Sequence, residues 1–105
     1  VGKNEPTVWK ILDELGIDYK PQYAIRLNES ESKDLDRRFV IYDLYIPCYE
    51  LIIEINEEWH SKTREWDVKK LEAASSRGYN VYEVWVSPHM PNQIRKILET
   101  VGENS

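Results

Sequence analysis

Cysteine is nearly absent from this chain of 105 residues, which carries only Cys48. One thiol closes no internal disulfide and builds no thiolate metal site alone, which suits a reducing compartment. Any bound metal must therefore take oxygen or imidazole ligands. Also missing are a Gly/Ser-rich linker, an internal repeat, a signal-peptide pattern, and any apolar run near the roughly 20 residues that span a bilayer. The chain is expected to be soluble and intracellular, with no membrane contact. Positive charge is scarce too: 14 basic against 19 acidic side chains leave a formal charge of −5. That is the wrong sign for a self-sufficient nucleic-acid binder, whose affinity rests on phosphate neutralisation. A cluster of metal-binding carboxylates would also make a domain acidic, and a divalent cation reverses the local field.

What is present suffices for one core. With 41% hydrophobic residues, 105 residues make one compact domain and are too few for two. Because the first residue is Val1 rather than Met, residues 1–105 read as one domain of a longer protein, with a frayed end from Gly102 to Ser105. Pro6 at a first helical position, then Val8, Ile11, Leu12 and Leu15 at helical spacing, then Gly16, predict a first helix. A short strand is expected over about Gln22 to Leu27. Asn28 to Asp34 is polar, lacks apolar periodicity and reads as an exposed loop. Arg38 to Ile46 and Leu51 to Asn56 are β-rich, and Pro47-Cys48-Tyr49-Glu50 between them reads as a hairpin turn. A helix follows from about Glu65 to Arg77, with Val68, Leu71 and Ala74 inward and Gly78 as its stop. Tyr79 to Val86 makes a further strand, with Trp85 expected in the core. Pro91 opens a last helix with Ile94, Ile97, Leu98 and Val101 inward. The order α-β-β-β-α-β-α, with one hairpin and one strand-helix-strand crossover, predicts an α/β fold with a small mixed sheet.

Two acids interrupt the apolar strands. Alternation puts Phe39, Ile41, Asp43 and Tyr45 on one face of their strand, and Ile52, Glu54 and Asn56 on one face of the next. With a symmetric four-residue turn, Ile46 faces Leu51 and Asp43 falls opposite Glu54, Cβ atoms roughly 5 Å apart. Opposed like charges destabilise a sheet, whereas a divalent cation accepts oxygen ligands from both. The bland alternative is a slipped register, or two acids that merely face water. His60 lies just past the second strand and Asp67 opens the next helix; an imidazole there can take a proton near neutral pH, held by a carboxylate. Singly, each is an ordinary structural His or helix-start acid. No role is assigned to His89.

The runs Asp43-Leu44-Tyr45-Ile46-Pro47 and Leu51-Ile52-Ile53-Glu54-Ile55-Asn56-Glu57-Glu58-Trp59-His60, then Asp67, Lys70, Leu71 and Gly78-Tyr79-Asn80-Val81-Tyr82-Glu83-Val84-Trp85, resemble PD-(D/E)XK nucleases. The resemblance is to their very-short-patch-repair branch and, within it, to the phage EDxHD homing endonucleases. It covers roughly residues 4 to 86. It implies an Mg²⁺- or Mn²⁺-dependent endonuclease domain with a restriction-endonuclease-like fold, in the cytoplasm of a bacterial or phage-infected cell. Asp43 would be the central metal ligand beside Glu54, His60 the general base or leaving-group partner, and Asp67 its orienting acid. The first-helix acid would be Glu5, with Glu14 as second choice. Where the superfamily motif has Lys two residues after the second acid, this chain has Asn56, so a lysine would have to come from Lys69 or Lys70. Double-stranded DNA would be the partner, held mainly by a separate DNA-binding domain. Weak contacts would come from Trp59, Lys62, Arg64, Lys69 and Lys70, with Trp59 and Trp66 able to stack on a base, and a homodimer stays open. Against the enzyme stand an inactive nuclease-fold binding domain and an interaction module presenting the four tryptophans.

Overall fold

The computed structural model describes residues 5–56 and 64–103, with side chains for 7–56 and 65–103. Helix α1 spans Glu5–Leu15 and buries Val8, Ile11 and Leu12. Leu15, expected inward, is 51% exposed. Gly16, at φ +69°, turns the chain out of the helix, and Ile17 packs against the core instead. Strand β1, Lys20–Arg26, is at one edge of the sheet, where Pro21 costs no ladder bond.

The segment read as an exposed loop contains a short helix, α2, Glu29–Leu35. Asn28 accepts the Glu31 backbone N–H at 2.8 Å, and Glu31 accepts the Asn28 N–H at 2.9 Å. This reciprocal cap satisfies two donors that a helix start leaves open. Leu35 is its one buried apolar anchor. The loop reading follows the lack of an apolar stripe and does not use the Asn28-x-x-Glu31 spacing.

Strands β2, Phe39–Ile46, and β3, Leu51–Asn56, are antiparallel and joined by a 3₁₀ turn at Pro47–Tyr49. The register is the one expected: Ile46 pairs Leu51, Tyr45 pairs Ile52 and Leu44 pairs Ile53. Helix α3, Arg64–Ser75, leads to β4, Asn80–Trp85, which runs parallel to β3. Helix α4, Met90–Glu103, buries Ile94, Leu98 and Val101 and half-buries Ile97. The sheet is therefore mixed, in strand order β1-β2-β3-β4.

Two apolar clusters lie on its two faces, as the alternation of Ile52 and Ile53 shows. Residues of α1 and α4 pack with Leu44, Ile46, Leu51, Ile53 and Val84. Leu35 of α2 and Ala73 and Ala74 of α3 pack with Ile25, Val40, Tyr42, Tyr45 and Ile52. The inner stripe of α3 differs from the expected one. Val68 is 40% exposed, and the helix turns Trp66, Lys70, Ala73 and Ala74 inward. Its apolar spacing is weak because the sheet beneath offers an acid, so a cation rather than a leucine sits at a contact position. Trp85, expected in the core, is 45% exposed. It ends an edge strand on the side opposite Val84.

Candidate active site

The site forms where two strand pairings stop. On one side of β2 the pairing with β1 skips Gln22, which has φ +54°, and Asp43 opposite it. On the other side the ladder to β3 ends at Leu44 and Ile53. The next pair would be Asp43 and Glu54, and there carboxylates take over from carbonyls. Glu54 Oε1 accepts the Asp43 backbone N–H at 2.8 Å, and Asp43 Oδ2 accepts the Ile55 N–H at 2.7 Å. The two acids thus hold the strands together across their splayed segment. The buried side of β2 also changes phase here: Val40 and Tyr42 belong to the α3-side cluster, whereas Leu44 and Ile46 belong to the other. The expected alternation through Asp43 therefore breaks. Phe39 and Ile41 are exposed while Tyr45 is buried.

Glu54 is the one buried charged residue among those described, 9% exposed. Its Oε2 meets Lys70 Nζ at 2.8 Å, and the two side chains are only 11% and 14% exposed. Burial pushes the Glu54 carboxyl above its ordinary range; Lys70 pulls against this, and the Asp43 charge adds to it. Lys70 is fixed at both ends by Tyr42. Its backbone carbonyl accepts the Tyr42 hydroxyl at 2.6 Å, and its Nζ lies 5.1 Å from the centre of the Tyr42 ring. The Trp66 ring, 5.8 Å from Nζ, walls the other side. Desolvation and the Glu54 charge raise the Tyr42 hydroxyl, so it stays a neutral donor.

At the C-terminal end of β3 and β4, Asn56 Nδ2 donates to Glu83 Oε2, and Glu83 pairs with Glu54 in the parallel register. This second polar pair was not singled out from the sequence. Strand alternation on β4, with Val84 on the far face, was the signal that could have found it.

The expected residues thus divide. Asp43, Glu54 and Lys70 come together, and of the two lysines considered, Lys70 is the one turned into the site. Asp67 is exposed in the first turn of α3 and makes no hydrogen bond or ion pair among the described residues. Lys69 is half-buried and likewise in no ion pair there. Glu14 is exposed on α1, which packs on the other face of the sheet. Trp59, His60 and Lys62 lie outside the described residues, as do the side chains of Glu5 and Arg64.

No protein-family model matches the chain, and no curated protein matches it. Among solved structures it is similar to the 5-hydroxymethylcytosine-specific restriction enzyme AbaSI, with a TM-score of 0.61 and 20% identity over 96% of this chain. The match spans 41% of that enzyme's chain. It is also similar to the catalytic domain of the homing endonuclease I-Bth0305I. There the TM-score is 0.55 and the identity 24%, over 98% of this chain and 90% of that one. Both are PD-(D/E)XK-type nucleases, and the likeness gives this chain their fold, a small mixed α/β sheet flanked by helices.

Proposed function

We propose that this chain is the catalytic domain of a divalent-metal-dependent DNA endonuclease, of the homing type, whose separate DNA-binding region supplies most of the affinity. The observation that carries the reading is the pairing of Asp43 and Glu54 across the splayed strands, with Lys70 2.8 Å from Glu54. Their backbone hydrogen bonds account for a place in the sheet, but not for like charges standing opposed there. Both are oxygen donors, and each carboxylate has about four lone-pair positions, so the backbone N–H bonds leave capacity for a cation. No group of three or more acids, His or Cys placed to hold a metal occurs among the described residues. Mg²⁺ needs only one or two carboxylates, because water and substrate phosphate complete its shell. Asp43 and Glu54 would hold Mg²⁺ or Mn²⁺, and the ion would supply charge stabilisation at a phosphate oxygen.

The chain's own groups do the rest. Lys70 favours the ionised form of Glu54 against its burial, and Tyr42 keeps Lys70 in place. Lys70 thereby stands in for the motif lysine that Asn56 replaces. His60, with Asp67 to orient it, takes the proton of the attacking water as its oxygen bonds to phosphorus and one P–O ester bond breaks.

Single-turnover cleavage of plasmid DNA, run beside calorimetric titration with Mg²⁺, tests the reading. Asp43→Ala should lose both cleavage and metal binding. His60→Ala should slow cleavage by about 10²- to 10⁴-fold while keeping its melting temperature and metal affinity. A His60→Ala variant that cuts at the parent rate removes the base assignment. A parent chain that neither binds Mg²⁺ nor cuts is instead a nuclease fold used only for binding.

A further inference from the structure

The β1–β2 pair runs on past the end of β3. Extending the β2–β3 register, Asn56, the last residue of β3, is level with Ile41, so Phe39 and its partner Arg26 stand beyond it. There Arg26, Arg38 and Phe39 line an open groove of about 420 Å³, closed on its other side by Asn28, Glu29 and Ser32. Both arginines are exposed, and among the described residues neither guanidinium is in an ion pair. The neighbouring Arg77 is by contrast held bidentate by Glu31. Phe39 is 51% and Ile41 53% exposed on this same stretch. In a domain of net charge −5, two unpaired guanidiniums converging on one concavity beside exposed apolar side chains form a local exception.

We infer that this groove holds the phosphodiester backbone of the DNA strand a few nucleotides from the scissile bond, with Arg26 and Arg38 on phosphate oxygens and Phe39 against the sugar edge. The inference rests on the endonuclease reading and adds a place for the strand's path. Guanidinium forks match phosphate oxygens in geometry and charge. Phe39 and Asp43 are four residues apart on β2, about 13 Å at strand rise. Phosphates advance roughly 3.4 Å per nucleotide along the duplex axis, so the groove lies about four phosphates from the site. Glu29 is the one acid in the lining and repels a strand that strays from the arginine wall.

A titration of the ¹⁵N-labelled chain with a short duplex, at low salt and without divalent metal, reads binding residue by residue. Signals of Arg26, Ser32, Arg38 and Phe39 should move first. Arg26→Gln/Arg38→Gln should weaken binding about tenfold or more. It should lower the slope of log K against log salt by about two, since each lost phosphate contact removes about 0.9. The melting temperature should stay at the parent value. Glu29→Gln should tighten binding. Neutral methylphosphonates three to five nucleotides from the cut should weaken the parent and leave the double variant unaffected. A double variant with the parent's affinity and salt slope, from a chain that still cleaves, overturns the groove and leaves the nuclease reading standing. A parent chain that binds no duplex overturns the groove, and one that also cuts no DNA overturns the nuclease reading with it.

Discussion

The two faces of this four-stranded sheet are built on different chemistry. The face under α1 and α4 is closed by aliphatic side chains, with Val8, Leu12, Ile53, Val84 and Ile94 all fully buried. The face under α2 and α3 carries Tyr42, Glu54 and Lys70 beside small alanines. It also holds a tyrosine cluster in which Tyr23 stacks on Tyr45 at 4.2 Å and its hydroxyl meets that of Tyr79 at 2.9 Å. That hydrogen bond, with burial, pushes the Tyr23 hydroxyl up to about 12. One face stabilises by burying area, the other by satisfying polar groups it has taken out of water. A small domain can hold a buried acid beside a lysine on the second face because the first supplies much of its apolar core.

Lys70→Met breaks this comparison most sharply. Removing one partner of a buried pair leaves an uncompensated charge and costs about 3–5 kcal/mol. The cost depends on pH. The Glu54 carboxyl already lies above its ordinary value of 4.5 because of burial, and losing the Lys70 offset raises it further. A carboxyl raised in the fold contributes its stability below the unfolded value and loses it as pH rises through the folded one. The Lys70→Met variant should therefore melt near the parent at pH 4 and well below it at pH 8. Adding Glu54→Gln should restore much of the difference. Thermal melts of the three variants across that range check this; a pH-independent loss would mean that Lys70 acts by packing alone.

On the aliphatic face, Leu12→Ala should cost about 2–5 kcal/mol by transfer and cavity. That cost should be the same at pH 4.5 and pH 8, since every buried residue of that cluster is aliphatic or Met. Chemical denaturation gives the first number. The proposed cleavage rate, measured well below the melting temperature, should not change.

The smallest effect is expected at the edge of the polar face, where Arg77, in the turn after α3, holds Glu31 of α2. The Arg77 bonds, with the Asn28 N–H, hold the Glu31 carboxyl down at about 2. Its contribution is present above about 4.5 and is lost as pH falls toward 2. Because this pair is open to solvent, screening leaves it about 1 kcal/mol. Glu31→Gln should lower the melting temperature by about 4–8 °C at pH 7 and by much less at pH 2.5. Equal losses at both would assign the helix cap, rather than the ion pair, to Glu31.

The sequence by itself determined the α/β class and the bounds of most elements to within two residues or so. It also determined the β2–β3 register and the meeting of Asp43 with Glu54, because apolar period, Gly and Pro punctuation and turn length are local and act over a few residues. It reached Lys70 only as one of two lysines. A helix of weak apolar spacing does not say which face it buries, and the acid beneath α3, sixteen residues away, decides it. Helix α2 likewise carried its cap in the sequence, but its partner Arg77 comes from the turn that follows α3. The phase change at Asp43 needs Gln22 in the left-handed region on one side and Glu54 on the other, across three strands at once. The groove of Arg26, Arg38 and Phe39 arises only because β1 and β2 outrun β3. These features depend on groups distant in the chain meeting at one point, and only tertiary packing brings them there.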